Sequence, residues 1–255
     1  MQANGNQNPV YSEEEKQALS EKVDQVISNK ELMVVFQPLV SLKDRSVFAY
    51  EALARNPSGV FANPPVMFDA AVAVGRCGEL GRLVREIAVE GCTTHPIFLN
   101  IHPDEFEDGW LMQPDDPIFS NADRTFLEIT ESVPLKYSDI CHSILREIRS
   151  HGIRLAVDDL GSGYSNLKYI SDLQPEIVKL DRELISGLTK GTRLHRLVKS
   201  IVDLSVNMGA KVVAEGIETA EELHAVIDTG AHFGQGYALA RPAFPPPEAI
   251  WPTFK

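Results

Sequence analysis

Carboxylate, carboxamide and lysine side chains recur at the ends of short apolar segments along this 255-residue chain. In chain order they are Glu51, Asn100, Glu128, Glu131, Asp158, Asp159, Lys179, Glu215 and Gln235. So many carboxylates cannot lie together in the ionised form without counter-charge, because like charges at close range raise one another's pKa values. Two divalent cations would remove this difficulty, and ligand sets made of oxygen alone suit Mg²⁺ or Mn²⁺.

The adjacent carboxylates Asp158 and Asp159 fit a site in which one of them bridges two metal ions and the other binds only the second ion. A two-metal centre with a lysine nearby is typical of phosphoester hydrolysis. The seven histidines form no HxH or HxxxH pair, so a zinc site has little support.

Each of these residues also has a simpler structural interpretation. Glu51 alone fits a surface carboxylate, and Asn100 fits a turn. Asp158 and Asp159 fit a turn that ends a strand, and Lys179 fits a structural salt bridge. The Gly-Ser-Gly that follows Leu160 fits either a plain turn or a weak phosphate cradle. The hypothesis of a site therefore depends on their joint placement, with one polar group at nearly every strand end.

The apolar segments that precede these residues read as buried strands, because they lack strict alternation. They lie at 32–36, 47–50, 97–99, 126–129, 155–157, 177–180, 212–214 and 233–239. Helical patterns fit between most of them, at 67–89, 140–151, 166–173, 194–208 and 220–229. About eight strands in a chain of this length favour a (β/α)₈ barrel, in which the strand ends meet on one face.

Two features depart from a regular barrel. The segment SLKDRS between the first two strands leaves no room for a crossover helix, so these strands are predicted to pair antiparallel. A helix is predicted over 11–29, because Ser12 and Glu15 form a capping box before an apolar stripe. The Asn- and Gln-rich residues 1–10 are predicted to be disordered, and residues 30–255 are predicted to form one domain.

The composition excludes several classes of protein. The chain is 44% hydrophobic and 24% charged, which is ordinary for a globular protein. Its net charge of −12 argues against binding to a nucleic-acid polymer. Three scattered cysteines do not form a disulfide framework, and no apolar stretch is long enough to span a bilayer. The polar N-terminus does not resemble a secretory signal, so we expect a cytoplasmic protein without a membrane segment.

Eight ordered motifs cover residues 30 to 245. They are QP at 37–38, YEALAR at 50–55, FLN at 98–100, LEITES at 127–132, DDLGSGYSNL at 158–167, VKLD at 178–181, AEGIET at 214–219 and QGYALARP at 235–242. A single EAL tripeptide would carry no information, but this ordered set is specific. In these motifs the sequence resembles the EAL domain, the bacterial phosphodiesterase of cyclic di-GMP.

The resemblance implies a modified TIM barrel whose first strand runs antiparallel to the others. It implies hydrolysis of cyclic di-GMP to linear pGpG with two Mg²⁺ or Mn²⁺ ions. We expect Ca²⁺ to inhibit, because its larger and looser ligand shell spoils the spacing of two ions. By likeness, one metal ion would be held by Glu51, Asn100, Glu128 and Asp158. The other ion would be held by Asp158, Asp159 and Glu215.

The resemblance also implies roles for other residues. Lys179 would orient or deprotonate the attacking water, with Glu215 as the second catalytic residue, and Arg55 would hold a phosphate. The substrate and water network would include Gln37, Asp181 and Gln235. Glu131 would anchor the glycine-rich loop and Glu218 the loop after the seventh strand. In active members the glycine-rich loop connects the metal site to a dimer interface, which implies a homodimer.

The sequence departs from the usual family pattern at four places without losing a proposed ligand or the lysine. Leu160 replaces a Phe, Asn56 stands where Trp is frequent, and His232 stands where Asp is usual. The tripeptide at 100–102 reads Asn-Ile-His rather than Asn-Leu-Ser. Two alternatives to hydrolysis stay open: a cyclic di-GMP receptor without turnover, and another barrel metalloenzyme with Lys179 as a base. A product assay separates the three.

Overall fold

The computed structural model describes residues 11–106, 109–130, 138–161 and 168–252, with the side chains of 138–141 and 168–169 left aside. The predicted disordered segment 1–10, the predicted loop anchor Glu131 and most of the glycine-rich loop, residues 162–166, lie outside the described residues.

Within the described residues, eight strands form a closed barrel in sequence order. The strands are β1 Met33–Ser41, β2 Val47–Arg55, β3 Ile97–Asn100, β4 Thr125–Thr130, β5 Arg154–Leu160, β6 Ile177–Leu180, β7 Lys211–Ala214 and β8 Phe233–Gly234. Strand β1 pairs antiparallel with both β2 and β8, and every other pairing is parallel. This topology confirms the predicted modified barrel with an antiparallel first strand.

Nine α-helices surround the described part of the barrel. They are α1 Glu13–Ser28, α2 Pro64–Ala73, α3 Cys77–Gly91, α4 Pro117–Ser120, α5 Ser138–Ser150, α6 Lys168–Leu173, α7 Arg182–Ile185, α8 Arg193–Asn207 and α9 Ala220–Thr229. Short 3₁₀ helices span Pro103–Phe106, Trp110–Met112 and Ala122–Arg124. The capping box of Ser12 and Glu15 begins α1 as predicted.

The single helix predicted over 67–89 is two helices, α2 and α3. Helix α2 ends because Gly75 adopts a left-handed conformation, with φ of 69°. The backbone N–H of Gly75 donates to the carbonyl of Val72, and that of Arg76 donates to the carbonyl of Ala71. These two bonds satisfy the last carbonyls of α2 and turn the chain before α3 begins.

The barrel interior is filled by a cluster that takes one apolar residue from each strand. Its members, from β1 to β8, are Leu39, Ala49, Phe98, Phe126, Ala156, Ile177, Val213 and Phe233. The rings of Phe98 and Phe126 stack at a centroid distance of 4.3 Å. This apolar layer fills the middle of the barrel and forms the floor of the space toward either end.

Candidate active site

A polar layer lies directly above the apolar floor of the barrel. Side chains of a strand alternate between its two faces, so the residue two positions further along points to the same side. From β1 to β8, the residues two positions from the floor toward one end of the barrel are Gln37, Glu51, Asn100, Glu128, Asp158, Lys179, Glu215 and Gln235. The fold therefore brings eight residues predicted from the sequence to one place.

Lys179 is the centre of this layer. Its ammonium Nζ lies 2.5 Å from Glu128 Oε1 and 2.6 Å from Glu215 Oε1. Asp158 Oδ1 lies 3.3 Å from the same nitrogen, and Glu51 Oε2 lies 3.6 Å from it. The lysine side chain is only 1% exposed, so these four carboxylates replace its hydration shell.

The electrostatics show a strong excess of negative charge. Burial alone would lower the pKa of Lys179, but the surrounding carboxylates outweigh this effect and raise it well above its usual value. Burial raises the pKa values of Glu128 and Glu215 well above normal; Lys179 opposes the shift, and neighbouring carboxylates add to it. Burial and then the charge of Asp158 raise the pKa of Asp159 to about 6. The single positive charge of Lys179 does not neutralise the negative charges of the carboxylates around it.

The carboxylates form two groups of three residues. Within each group, one oxygen atom from every residue lies within 4.8 Å of those of the other two. The first group is Glu51, Glu128 and Asp158, and the second is Asp158, Asp159 and Glu215. Asn100 adjoins the first group, because its Nδ2 donates to Glu51 Oε1 at 3.2 Å. The arrangement has the all-oxygen chemistry that Mg²⁺ and Mn²⁺ prefer, with Asp158 common to both groups.

Asp159 joins this site through an irregularity in β5. Two successive residues of a regular strand point to opposite faces. The β5–β6 pairing shifts register between Val157 and Leu160, and Asp159 has a φ of 57°. Such bulges re-aim side chains near functional sites. Here the bulge places two consecutive carboxylates on the same side.

Two carboxamides connect the first group to β1 and β8. Gln235 Nε2 donates to Glu51 Oε2 at 2.5 Å and to Gln37 Oε1 at 3.1 Å. Gln37 Nε2 donates in turn to the carbonyl of Ala240 at 3.1 Å. Gln235 Oε1 is buried and has no hydrogen-bond partner among the described residues, so it is available to accept from a bound molecule.

Among the predicted site residues that the structure describes, Arg55, Asp181 and Glu218 lie outside this polar layer. Arg55 is the last residue of β2, and its Nη1 donates to the carbonyl of Ala54 at 2.7 Å. Asp181 caps α7, since its Oδ1 accepts from the N–H of Glu183 at 2.7 Å. Glu218, after β7, pairs with Arg182 of α7 at 2.8 Å. Arg55 ends its strand, and Asp181 and Glu218 follow theirs, so all three lie toward the end of the barrel that carries the polar layer.

Comparison with protein families decides the relationship, because the EAL domain model matches residues 17–242. The chain belongs to the EAL domain family. A cyclic di-GMP phosphodiesterase of Pseudomonas aeruginosa is 29% identical over 260 residues, which cover 96% of this chain and 44% of that protein. The probable cyclic di-GMP phosphodiesterase PdeD of Escherichia coli is 25% identical, over 89% of this chain and 44% of its own length. This EAL domain therefore spans less than half of the curated relatives it matches.

Solved structures of the family agree with the fold. A manganese and cyclic di-GMP complex of BlrP1 from Klebsiella pneumoniae superimposes with a TM-score of 0.76 at 28% identity, over 88% of this chain and 59% of that one. The phosphodiesterase PaMucR in complex with cyclic di-GMP superimposes with a TM-score of 0.74 at 26% identity, over 89% and 97% of the two chains. Among the described residues of this EAL domain, no helix combines the length and apolarity needed to cross a bilayer.

Sequence reasoning missed a buried ion-pair group centred on Arg85 of α3. Arg85 Nη1 lies 2.5 Å from Glu105 Oε2, and Arg85 Nη2 lies 2.8 Å from Asp116 Oδ2. Glu105 also accepts from the backbone N–H of His102 at 3.0 Å, which fixes the segment that follows Asn100. No local pattern identifies this group, because its members are brought together only by tertiary contacts.

Sequence reasoning also missed Glu222 of α9. One of its carboxylate oxygens accepts from the backbone N–H of Gly187 at 2.7 Å. The other accepts from the backbone N–H groups of Glu218 and Thr219 at 2.9 and 3.0 Å. Glu222 therefore joins the segment after α7 to the segment that carries Glu215. Its local signal was available, because Thr219 and Glu222 have the spacing of a capping box.

Proposed function

We propose that this EAL domain hydrolyses cyclic di-GMP to linear pGpG and requires two Mg²⁺ or Mn²⁺ ions. The observation that carries the proposal is the pair of carboxylate groups that share Asp158 around the buried Lys179. The relatives named as cyclic di-GMP phosphodiesterases, and the solved complexes with that nucleotide, support the choice of substrate.

The residues present fit two divalent ions. One ion would be held by Glu51, Asn100, Glu128 and Asp158, and the other by Asp158, Asp159 and Glu215. The raised pKa values of the buried acids, set by burial and mutual repulsion, indicate charge that the protein alone leaves unbalanced. When bound, divalent ions supply a hydroxide nucleophile near neutral pH and offset the negative charge that develops at phosphorus.

The protein's own groups would bind the substrate and orient the attacking water. Lys179 carries three donors and touches carboxylates of both groups, so it is placed to orient the attacking water together with Glu215. Arg55 would hold a substrate phosphate above the polar layer, since a guanidinium matches phosphate geometry. Gln37, Asp181 and Gln235 would contact substrate and water, and the unpartnered Oε1 of Gln235 supports that role.

The conversion of cyclic di-GMP to pGpG defines which bonds form and which break. The attacking oxygen forms a bond to one phosphorus, and the bond from that phosphorus to a ribose 3′ oxygen breaks. The attacking water gives up one proton, the leaving 3′ oxygen takes up one proton from solvent water, and the ring opens to a linear dinucleotide with a terminal phosphate. Glu218 would hold the segment that carries Glu215, through Arg182 at 2.8 Å. The anchoring role of Glu131 and the homodimer stay predictions.

The decisive experiment is to incubate the protein with cyclic di-GMP and either Mg²⁺ or Mn²⁺, and to resolve the products by chromatography. We expect pGpG, its loss in EDTA, and inhibition by Ca²⁺, whose larger and looser ligand shell disturbs the spacing of two ions. Binding of cyclic di-GMP without formation of pGpG would show that the protein is a receptor and not a phosphodiesterase. Full activity in EDTA would remove the two-metal site from the proposal.

A further inference from the structure

The C-terminal end of α1 is fixed by a backbone motif. Lys30 adopts a left-handed conformation with φ of 52°, and its N–H donates to the carbonyl of Ile27 at 3.3 Å. The N–H of the next residue, Glu31, donates to the carbonyl of Val26 at 3.0 Å. This pair of bonds is a Schellman motif, and it ties the backbone of Glu31 to the last turn of α1. The side chain of Gln25 holds the carboxylate of Glu31 at 3.0 Å as well.

Asn56 connects this motif to the loop that follows β2. Its Nδ2 donates to the carbonyl of Glu31 at 2.9 Å and to Ser58 Oγ at 3.0 Å. Its Oδ1 accepts from the backbone N–H of Phe61 at 3.2 Å. The Phe61 side chain is buried in the core cluster that also contains Val23 and Val26 of α1. One carboxamide therefore closes the loop on itself and holds it against the α1–β1 connection.

The bridge lies next to Arg55. Arg55 is the last residue of β2, and its partner across the ladder is Met33, the first residue of β1. A strand end frays unless groups beyond the last rung hold it. Asn56 is the first residue beyond that rung, and it binds the carbonyl of Glu31, which lies two residues before Met33. The hydrogen bond between Asn56 and Glu31 therefore ties the two strands together just beyond their last residue pair, Met33 and Arg55.

We propose that Asn56 is a positioning residue, which fixes Arg55 for its contact with a substrate phosphate by holding the end of β2 against the C-terminal motif of α1. This inference rests on the proposed function, in which Arg55 binds cyclic di-GMP. It also gives a role to a residue that departs from the usual family pattern. Asn56 acts through Arg55 and not on the metal ligands, because Glu51 lies five residues before Asn56, inside the barrel.

The test is the Asn56→Asp variant, which keeps the acceptor for the Phe61 N–H but removes both hydrogen bonds donated by Nδ2. We expect the KM for cyclic di-GMP to rise about tenfold, the loss expected for one or two hydrogen bonds. We expect kcat and the Mn²⁺ activation curve to stay within about twofold, because the polar layer is untouched. An unchanged KM would overturn the inference.

The matched control is Asn63→Asp, which makes the same chemical change in the same loop. Asn63 caps α2 by accepting from the N–H of Val66 at 3.0 Å, and Asp caps a helix equally well. It adds the same charge at the other end of the segment between β2 and α2, so it measures the effect of an added negative charge without the loss of the bonds that Asn56 donates. We expect wild-type KM. An increase equal to that of Asn56→Asp would show that the effect is charge and not position.

A double-variant cycle separates action through Arg55 from a direct contact. Arg55→Ala should raise KM, and adding Asn56→Asp to it should cause no further increase, since the group being positioned is gone. Fully additive effects would contradict the inference. If Asn56→Asp lowers the folded fraction in thermal melts, Asn56→Ser provides the same comparison with a smaller neutral side chain.

Calorimetric binding with Ca²⁺ in place of Mn²⁺ keeps the two proposals distinguishable. If the wild type binds cyclic di-GMP in Ca²⁺ but does not hydrolyse it in Mn²⁺, the proposed enzymatic function fails, and the ratio of Kd values for wild type and Asn56→Asp still decides the inference. A tenfold higher Kd for the variant supports it, and equal Kd values contradict it. A wild type that does not bind cyclic di-GMP overturns both.

Discussion

Lys179 Nζ and Glu128 Oε1 lie 2.5 Å apart, and neither side chain is more than 1% exposed. The contact joins β4 to β6 across the barrel interior, passing over β5. A buried ion pair is costly to desolvate, and its members persist only when each is well partnered. Lys179 has four carboxylate partners within 3.6 Å, so in the metal-free protein it is the cation that holds this layer together.

Replacing Lys179 by Met should affect both turnover and metal-free stability. The side chain keeps its approximate volume but loses its charge, which leaves buried carboxylates without their cation. We expect turnover to fall by about 10²–10⁴-fold, the range for a positioned proton-transfer group. We expect the metal-free protein to lose about 3–5 kcal/mol of unfolding free energy, and Mn²⁺ to restore much of it. Thermal melts in EDTA and in Mn²⁺ measure this, with the exposed Lys199→Met as control. Equal melting temperatures in EDTA would contradict the expectation.

Asp158→Asn tests the shared ligand. Asp158 belongs to both carboxylate groups, whereas Asp159 belongs only to the second. We expect the wild type to bind two Mn²⁺ ions, Asp159→Asn to retain one, and Asp158→Asn to weaken both. Calorimetric titration with Mn²⁺ gives the stoichiometry, and Asp203→Asn on the exposed face of α8 is the control. A wild type that binds one ion, or an Asp158→Asn variant with unaltered stoichiometry and affinity, would rule out a shared ligand.

Glu222→Ala should loosen the segment that carries Glu215. The substitution leaves three backbone N–H groups without their acceptor, so we expect a loss of about 2–3 kcal/mol and a fall in turnover. The neighbouring Glu221→Ala, which removes an exposed acid from the same turn of α9, should change stability by less than about 0.5 kcal/mol. Chemical denaturation of the two variants makes the comparison.

The effect of Glu222→Ala should also depend on pH. Burial tends to raise the pKa of Glu222, but the hydrogen bonds from Gly187, Glu218 and Thr219 outweigh it and lower the pKa below the usual value of 4.5. A lowered carboxylate pKa contributes stability that is present above the unfolded pKa and is lost as the pH falls through the folded pKa. The stability difference between wild type and variant should therefore be full at pH 7 and shrink in acid below pH 4.5. A difference that grows in acid would contradict this assignment.

Gly81→Ala should destabilise the protein even though alanine favours helices by about 1 kcal/mol. A Cβ at Gly81 would lie 2.2 Å from Glu105 Oε2. That carboxylate cannot move away freely, because Arg85 and the N–H of His102 hold it. We expect a net loss of about 1–3 kcal/mol, which is typical of overpacking. In a Glu105→Ala background the clash disappears, so Gly81→Ala should then be neutral or stabilising. The same loss in both backgrounds would exclude the clash as the cause.

Part of the architecture followed from local pattern alone. The capping box at Ser12 and the short connection between the first two strands are readable from neighbouring residues, and both expectations are confirmed. The polar layer is also a consequence of local pattern, because strand side chains repeat with a period of two. An apolar floor residue such as Phe126 or Ile177 predicts that Glu128 or Lys179, two residues later, points into the same space.

Tertiary structure decided the features that depend on partners distant in the chain. The sequence alone cannot show that the carboxylates of Asp158 and Asp159 point to the same side of β5, because the bulge that turns Asp159 arises from the register between β5 and β6. Nor can it bring Arg85 to Glu105, or Asn56 to the carbonyl of Glu31, 25 residues earlier. These contacts form only once the barrel closes and α1 docks, since the free energy that holds them comes from burial and hydrogen bonds between elements. Periodicity therefore determined which residues face the site, and closure of the barrel determined how near they lie and what holds them there.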